Sequence, residues 1–233
     1  MSKLRIVSHG SETFRDRQEV GQLLAWELRY LPGRNLVVLG IPRGGIVVAQ
    51  VLAQTLDAEL DIVLAHKLRT PGHPELAMGS VAEDGKIFLN EEVVTQLGIG
   101  KRYIREERAR QLAEIKRRAQ QIREVFPRVP LKGKTVVVTD DGVATGATTQ
   151  AALWAVRQER PAALVAAIPV GPEEVVRRLA EDVDEMVCLR TPRFFSAVGQ
   201  FYARFDPVGD ADVLRIMREE RKRQVSNASR KHK

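Results

Sequence analysis

Apolar and polar positions follow two rhythms along this chain. Leu36 to Ile41, Asp61 to Ala65, Thr135 to Thr139, Ala163 to Pro169 and Met186 to Leu189 are short apolar runs, suited to strands covered on both faces of a parallel sheet. Between them the spacing changes to that of helices. Asp16 to Tyr30 places Val20, Leu23, Leu24 and Leu28 on one face, with an acid at its start and Gly33 beyond its end. Gly45 to Thr55 and Glu173 to Glu181 repeat the pattern. Strands alternating with helices predict an α/β fold, a doubly wound, mainly parallel sheet flanked by helices.

Two segments leave this rhythm. HKLRTPGHPELAMG, after Ala65, contains Pro71, Gly72 and Pro74, which exclude a continuing helix. It reads as a flexible loop over residues 68–80, followed by a β-hairpin from Val81 to Leu89 that turns at Glu83 to Lys86. Then Tyr103 to Phe126 forms a long charged helix with a narrow seam of Ile104, Leu112, Ile115, Ala119, Ile122 and Phe126. That seam predicts docking on the chain's own sheet or on a twin subunit, while Arg117 and Arg118 could meet RNA.

The chemistry concentrates where the strand pattern Thr135 to Thr139 meets Asp140 and Asp141, the small-residue stretch Gly142 to Ala147, and a helix beginning near Thr148. In open α/β sheets ligands collect at the carboxyl ends of strands, and small residues let backbone N–H groups approach an anion. Thr145, Thr148 and Thr149 add hydroxyls, and the helix N-terminus directs unsatisfied N–H groups at the same place. Carboxylates repel phosphate, so the two aspartates must face other groups; vicinal ribose hydroxyls are the natural donors. The arrangement predicts a 5-phosphoribosyl site.

DDGVATGAT resembles the 5-phosphoribosyl-1-diphosphate (PRPP) motif of the type I phosphoribosyltransferases. FRDR at Phe14 to Arg17, IPRGG at Ile41 to Gly45, PGHPELAMGSVAEDG at Pro71 to Gly85 and AVGQFY at Ala197 to Tyr202 resemble an uncharacterised branch of that family. The resemblance spans roughly residues 4 to 214. It implies the type I phosphoribosyltransferase fold with a small hood and a β-hairpin beside the flexible loop, in a domain over residues 1–214; the charge and polarity of residues 215–233 predict a basic helix end and a disordered tail. By the same resemblance Asp140 and Asp141 hold the ribose hydroxyls, and Ala144, Thr145, Gly146, Ala147 and Thr148 hold the 5-phosphate. IPRGG is the family's diphosphate turn, in some members with a non-proline cis peptide. Arg43 supplies a forked donor there, with Gly44 amides beside it.

Lys67 and Arg69 carry the further positive charge that departing diphosphate requires. Asp140, Asp141, Lys67 and Arg43 are accordingly the expected catalytic group. Mg²⁺ is the implied cofactor, bridging diphosphate and ribose hydroxyls, with Asp140 and Asp141 acting on it indirectly. The implied reaction is transfer of the 5-phosphoribosyl group of PRPP to a nitrogenous base with release of diphosphate, by a homodimer. Ala144 stands where many relatives have Thr or Asp, and an Asp there is the proposed general base of the 6-oxopurine enzymes. Its absence turns the expectation away from that substrate class. Ala147 replaces a frequent Gly. His66 replaces an Arg usual in the branch, and His73 and Glu75 are lesser candidates for base contact.

Composition narrows the picture a little further. With 233 residues and 44% hydrophobic content, the chain can bury one α/β core. The polar amino terminus and the absence of a long apolar run predict a soluble, cytoplasmic protein without membrane association. The lone Cys188, in DEMVCL, reads as an inert strand residue. Charge is uneven: residues 215–233 hold eight Lys or Arg against two Glu, a net of +6 out of the chain's +7. A helix through Gln224 and a solvated basic tail account for this stretch; nucleic acid is the less favoured partner. Four of the seven phenylalanines fall in RTPRFFSAVGQFYARF, where Phe194, Phe195 or Tyr202 would offer an acceptor base its wall. The alternative function is a PRPP- or nucleotide-sensing regulator that binds RNA or DNA.

Overall fold

The computed structural model describes residues 3–31 and 35–231. Strand β1 (Lys3–Ser8) is followed by α1 (Arg17–Glu27), β2 (Leu36–Gly40), α2 (Gly45–Thr55) and β3 (Glu59–Ile62). An excursion then adds β4 (Ala65–Thr70), β5 (His73–Ala82), β6 (Ile87–Leu89), α3 (Glu91–Gln96) and α4 (Lys101–Val125). The chain returns through β7 (Thr135–Thr139), α5 (Ala147–Arg157), β8 (Ala163–Val170), α6 (Glu173–Ala180), β9 (Glu185–Arg190), a 3₁₀ turn at Val198–Phe201 and α7 (Asp210–Lys231).

Six strands form a parallel sheet in the order β1-β9-β8-β7-β2-β3. Its central strands are buried almost throughout, as two helix-covered faces require, and Val136, Val137, Val138, Leu164 and Ala166 are fully inaccessible. β7 and α2 have the bounds their residue patterns predict, and Gly33 lies outside the described residues. β1 was not expected. KLRIVS alternates basic and apolar residues, and an edge strand needs only Leu4 and Ile6 packed against the core.

The small hood is a three-stranded antiparallel sheet, β4-β5-β6. This corrects the flexible loop expected over residues 68–80: Leu68 to Thr70 and His73 to Ser80 are strand, and Pro71 and Gly72 form only the turn between them. Leu68 and Thr70 are buried while Arg69 is exposed, a period-two pattern masked by polar residues and by register shifts beside Arg69. The hairpin expected from Val81 to Leu89 is present, although its first strand begins at His73. Phe88 on β6 meets Trp154 on α5 with ring centroids 4.6 Å apart, joining hood to sheet.

The α4 seam docks on the chain's own body: Ile104, Ile115, Ile122 and Phe126 are buried, and Leu112 and Ala119 pack against the core. Glu107 and Gln111 are buried with them. Glu107 accepts from the Arg69 backbone N–H at 3.2 Å and from Gln111 Nε2 at 2.9 Å, satisfying a carboxylate that would otherwise be costly to bury. α7 runs past Gln224 to Lys231, with side chains beyond Val225 outside the described residues. Among the described residues no helix is long and apolar enough to cross a membrane. Cys188 is buried in β9, and burial pushes its thiol up to about 12, which removes it as a nucleophile at neutral pH.

Candidate active site

β2 and β7 are neighbours in register, Gly40 opposite Thr139, so the turns leaving their carboxyl ends emerge side by side. Thr139 fixes its strand end, donating its hydroxyl to Ala167 O at 2.7 Å, and its own carbonyl accepts from Ile41 N at 2.9 Å. Asp140 and Asp141 follow from β7 and Pro42 to Gly45 from β2. The peptide bond between Pro42 and Arg43 is cis.

Gly44 and the acid pair are mutually dependent. A Cβ on Gly44 would lie 1.8 Å from Asp141 Oδ2, so any larger residue would force that carboxylate to swing from its present place. Asp140 lies against Gly45, and its Oδ1 accepts from the Asp141 backbone N–H at 2.8 Å. Burial, with the negative charge of Asp141 next, holds the Asp140 carboxyl well above the usual carboxylate range.

The second acid is held from two further elements. Arg17, at the start of α1, brings Nε and Nη2 each to 2.8 Å from Asp141 Oδ2. The Asp141 carbonyl accepts from Tyr202 Oη at 2.6 Å. Tyr202 is buried between Phe14, at 5.6 Å, and Phe205, at 4.9 Å, and burial raises its hydroxyl pKa far beyond the physiological range. It therefore supports the acid pair from below instead of offering its ring to an acceptor. Neither role was anticipated for Arg17 or Tyr202. Both lie in motifs that the sequence singles out, FRDR and AVGQFY, but no periodicity tells which way a side chain at a helix start or strand end will reach.

Beyond Asp141 the chain passes through Gly142 to Gly146 into α5. Gly146 has φ +77°, a left-handed conformation that glycine adopts without strain, and it turns the chain into the helix. Its N-cap, Gly146, has no side chain to cap α5, and the Ala147 N–H meets Thr145 Oγ1 only at 3.5 Å. Thr145 and Thr148 are exposed and Thr149 is buried. Arg178 of α6 donates to Thr145 O at 2.5 Å, bringing a cation to the loop that sequence reading also missed.

The basic residues expected around diphosphate divide between two supports. Arg43 is exposed on the β2 turn, whereas half-buried Lys67 and exposed Arg69 stand on β4 of the hood. His66, also on β4, sits 3.1 Å from Gln111 Oε1, and burial depresses its pKa, leaving a neutral ring at neutral pH. His73 is exposed at the hood's turn, and the Glu75 side chain lies outside the described residues. Phe194 is 79% exposed, and Phe195 stacks on Phe201 at 5.4 Å. At the carboxyl ends of β1, β8 and β9 a cavity of about 550 Å³ is lined by His9, Pro172, Thr191 and Phe195, among others.

An acid pair, a glycine turn and a helix N-terminus gathered at the carboxyl ends of neighbouring parallel strands define an α/β protein with its polar groups where open sheets of this kind take ligands. The chain belongs to the phosphoribosyl transferase domain family, which matches residues 12–205. It is 42% identical over 204 residues to Rv0571c of Mycobacterium tuberculosis H37Rv, provisionally named a phosphoribosyl transferase. That alignment takes in 88% of this chain and 46% of the relative, so the chain spans about half the length of the curated protein it matches. The crystal structure of TT1426 from Thermus thermophilus superposes with a TM-score of 0.85 at 44% identity, covering 89% of this chain and 98% of that one.

Proposed function

We propose that this chain transfers the 5-phosphoribosyl group of PRPP to a nitrogen acceptor and releases diphosphate. The observation that carries this reading is the joint construction of three subsites at one sheet edge. Asp140 and Asp141 offer acceptors for ribose hydroxyls, the residue 142–148 loop and α5 N-terminus offer N–H and hydroxyl donors for the 5-phosphate, and the Arg43–Gly44 turn abuts the acids on the diphosphate side. Family membership supports the same assignment.

In this mechanism the chain's own work is electrostatic and positional. Positive charge on Arg43, with Lys67 and Arg69 brought over from the hood, offsets the charge that builds on departing diphosphate. Asp140 and Asp141 fix the ribose so that its anomeric carbon is open to attack, and the hood shields that carbon from water. The acceptor nitrogen forms the new bond to the anomeric carbon as the bond to diphosphate oxygen breaks, and the acceptor's proton leaves to solvent. Phe195 and Pro172, beside the cavity at β8 and β9, are suited to form an apolar wall for that acceptor.

Magnesium fits this donor set as a passenger of the substrate. Among the described residues no cluster of three or more His, Cys, Asp or Glu could hold a metal unaided, while Asp140 and Asp141 are oxygen donors of the kind magnesium accepts. Asp140 and Asp141 would hold it beside the substrate, where it would neutralise leaving-group charge.

The test is diphosphate release from PRPP in the presence of magnesium as purine and pyrimidine bases are added in turn. Base-dependent release is expected. Tight PRPP binding with no release for any base would instead favour a sensor.

A further inference from the structure

Arg17 is an arginine with 9% exposure whose donors all point inward. Nε and Nη2 reach Asp141 Oδ2, Nη1 donates to Asp206 O at 2.8 Å, and the guanidinium lies 3.9 Å over the Phe205 ring. The backbone that presents it is equally determined. Asp16 caps α1, accepting from the N–H groups of Gln18 and Glu19 at 3.1 and 3.0 Å, which fixes Arg17 as the first helical residue. Across the site, absence of a side chain at Gly44 leaves room for the pair: its Cβ would fall 1.8 Å from Asp141 Oδ2 and 3.2 Å from Arg17 Nε. Separate pieces of chain thus converge on one carboxylate oxygen.

This convergence has a chemical consequence for the two acids. Two ionised carboxylates beside a phosphate cradle would repel the ligand they are meant to hold. A forked cation on one of them offsets a unit of negative charge and occupies one oxygen, because the Nε–H bond and the Nη2 ion-pair contact both end on Oδ2. Asp140 is held differently: its Oδ1 accepts from the Asp141 backbone N–H.

We propose that Arg17 is a positioning residue of the ribose subsite: it takes up Asp141 Oδ2, so that the two acids act unequally and the ribose hydroxyls meet Asp140 and the remaining Oδ1 of Asp141. This rests on the phosphoribosyl reading given above and deepens it. Arg17 touches no substrate atom itself. Its fork, and not charge alone, sets the direction in which Oδ1 faces the crevice.

The experiment is calorimetric titration of wild type, Arg17→Met and Arg17→Lys with ribose 5-phosphate, 2-deoxyribose 5-phosphate and inorganic phosphate, with melting curves to confirm folding. In wild type, loss of the 2-hydroxyl is expected to weaken binding about 10-fold, the effect of one charge-assisted hydrogen bond. In Arg17→Met all three ligands weaken together through the lost positive charge, and on top of that common loss the ratio falls towards one, which a general loss of structure would not produce. Arg17→Lys, with the charge but no fork, lies between the two; should Arg17→Met fail to fold, Arg17→Lys alone decides. A ratio equal to wild type in whichever variants fold overturns the role of Arg17 and leaves the ribose subsite standing. No preference of wild type for ribose 5-phosphate over inorganic phosphate overturns the ribose reading itself, and the role of Arg17 with it.

Discussion

The carboxyl edge of the parallel sheet and the hood beside it solve opposite problems. At the edge, Asp140, Asp141, Gly44 and Gly45 sit on turns between buried strands and helices, Asp140 against the backbone of Asp141 and Gly45, and Asp141 under Arg17 and Tyr202. In the hood, Lys67 and Arg69 ride on a three-stranded sheet tied to the body through side chains. Phe88 leans on Trp154, and Arg123 of α4 spans Glu83 in the hood's second turn, at 3.0 Å on each oxygen, and Asp61 on β3 at 2.7 Å. The edge is knit together across neighbouring turns. The hood is built to be held, and its side-chain ties can be cut without touching the ribose subsite.

The largest effect should follow from removing both acids at the edge. Asp140→Asn with Asp141→Asn removes both carboxyl acceptors and breaks the Arg17 ion pair, so PRPP affinity by calorimetry should fall about 100-fold or more, with inorganic phosphate binding retained. In the hood, Arg123→Ala leaves the buried Asp61 carboxyl without its cation. Denaturant unfolding should show a loss of about 3–5 kcal/mol. Burial raises the folded-state pKa of Asp61 above its ordinary value of 3.8, so the native state keeps a proton that the unfolded chain has released. Stability from this group therefore falls as pH rises from 3.8 through the raised folded value, and lowering the pH across that window should shrink the Arg123→Ala defect.

Gly44→Ala comes next, because its Cβ would force Asp141 and the diphosphate turn apart. A stability loss of about 1–3 kcal/mol is expected, together with loss of ribose 5-phosphate binding; a variant that melts like wild type and binds normally would break the proposed interdependence. The smallest effect distinguishes the hood's part in binding. Lys67→Ala should weaken PRPP about 10-fold and leave ribose 5-phosphate unchanged, since only the former carries a diphosphate. Equal losses for both ligands would move Lys67 away from the diphosphate subsite.

The same contrast explains what could be read from the residues. The parallel strands announced themselves because burial on two faces demands apolar runs, as in Thr135 to Thr139 and Ala163 to Pro169, the latter one residue short of the observed β8. α2 was bounded by Gly45 and by the end of its apolar spacing at Thr55. β4 and β5 were hidden because a hood sheet exposes one face and mixes charge into the pattern, and because Pro71 and Gly72 signal a turn without saying what flanks it. The positions of the acid pair at the end of β7 and of the small-residue turn into α5 were legible locally. Arg17 and Tyr202 were not, since their contacts with Asp141 bridge 124 and 61 residues of chain and depend on where α1 and the 3₁₀ turn come to rest.

The most direct measurement is calorimetric titration of PRPP with magnesium into wild type and into the Asp140→Asn, Asp141→Asn double variant. Saturable binding in wild type that is lost in the variant is the predicted result. Equal binding by both proteins, or none by wild type, would contradict the assignment of this sheet edge as the PRPP site.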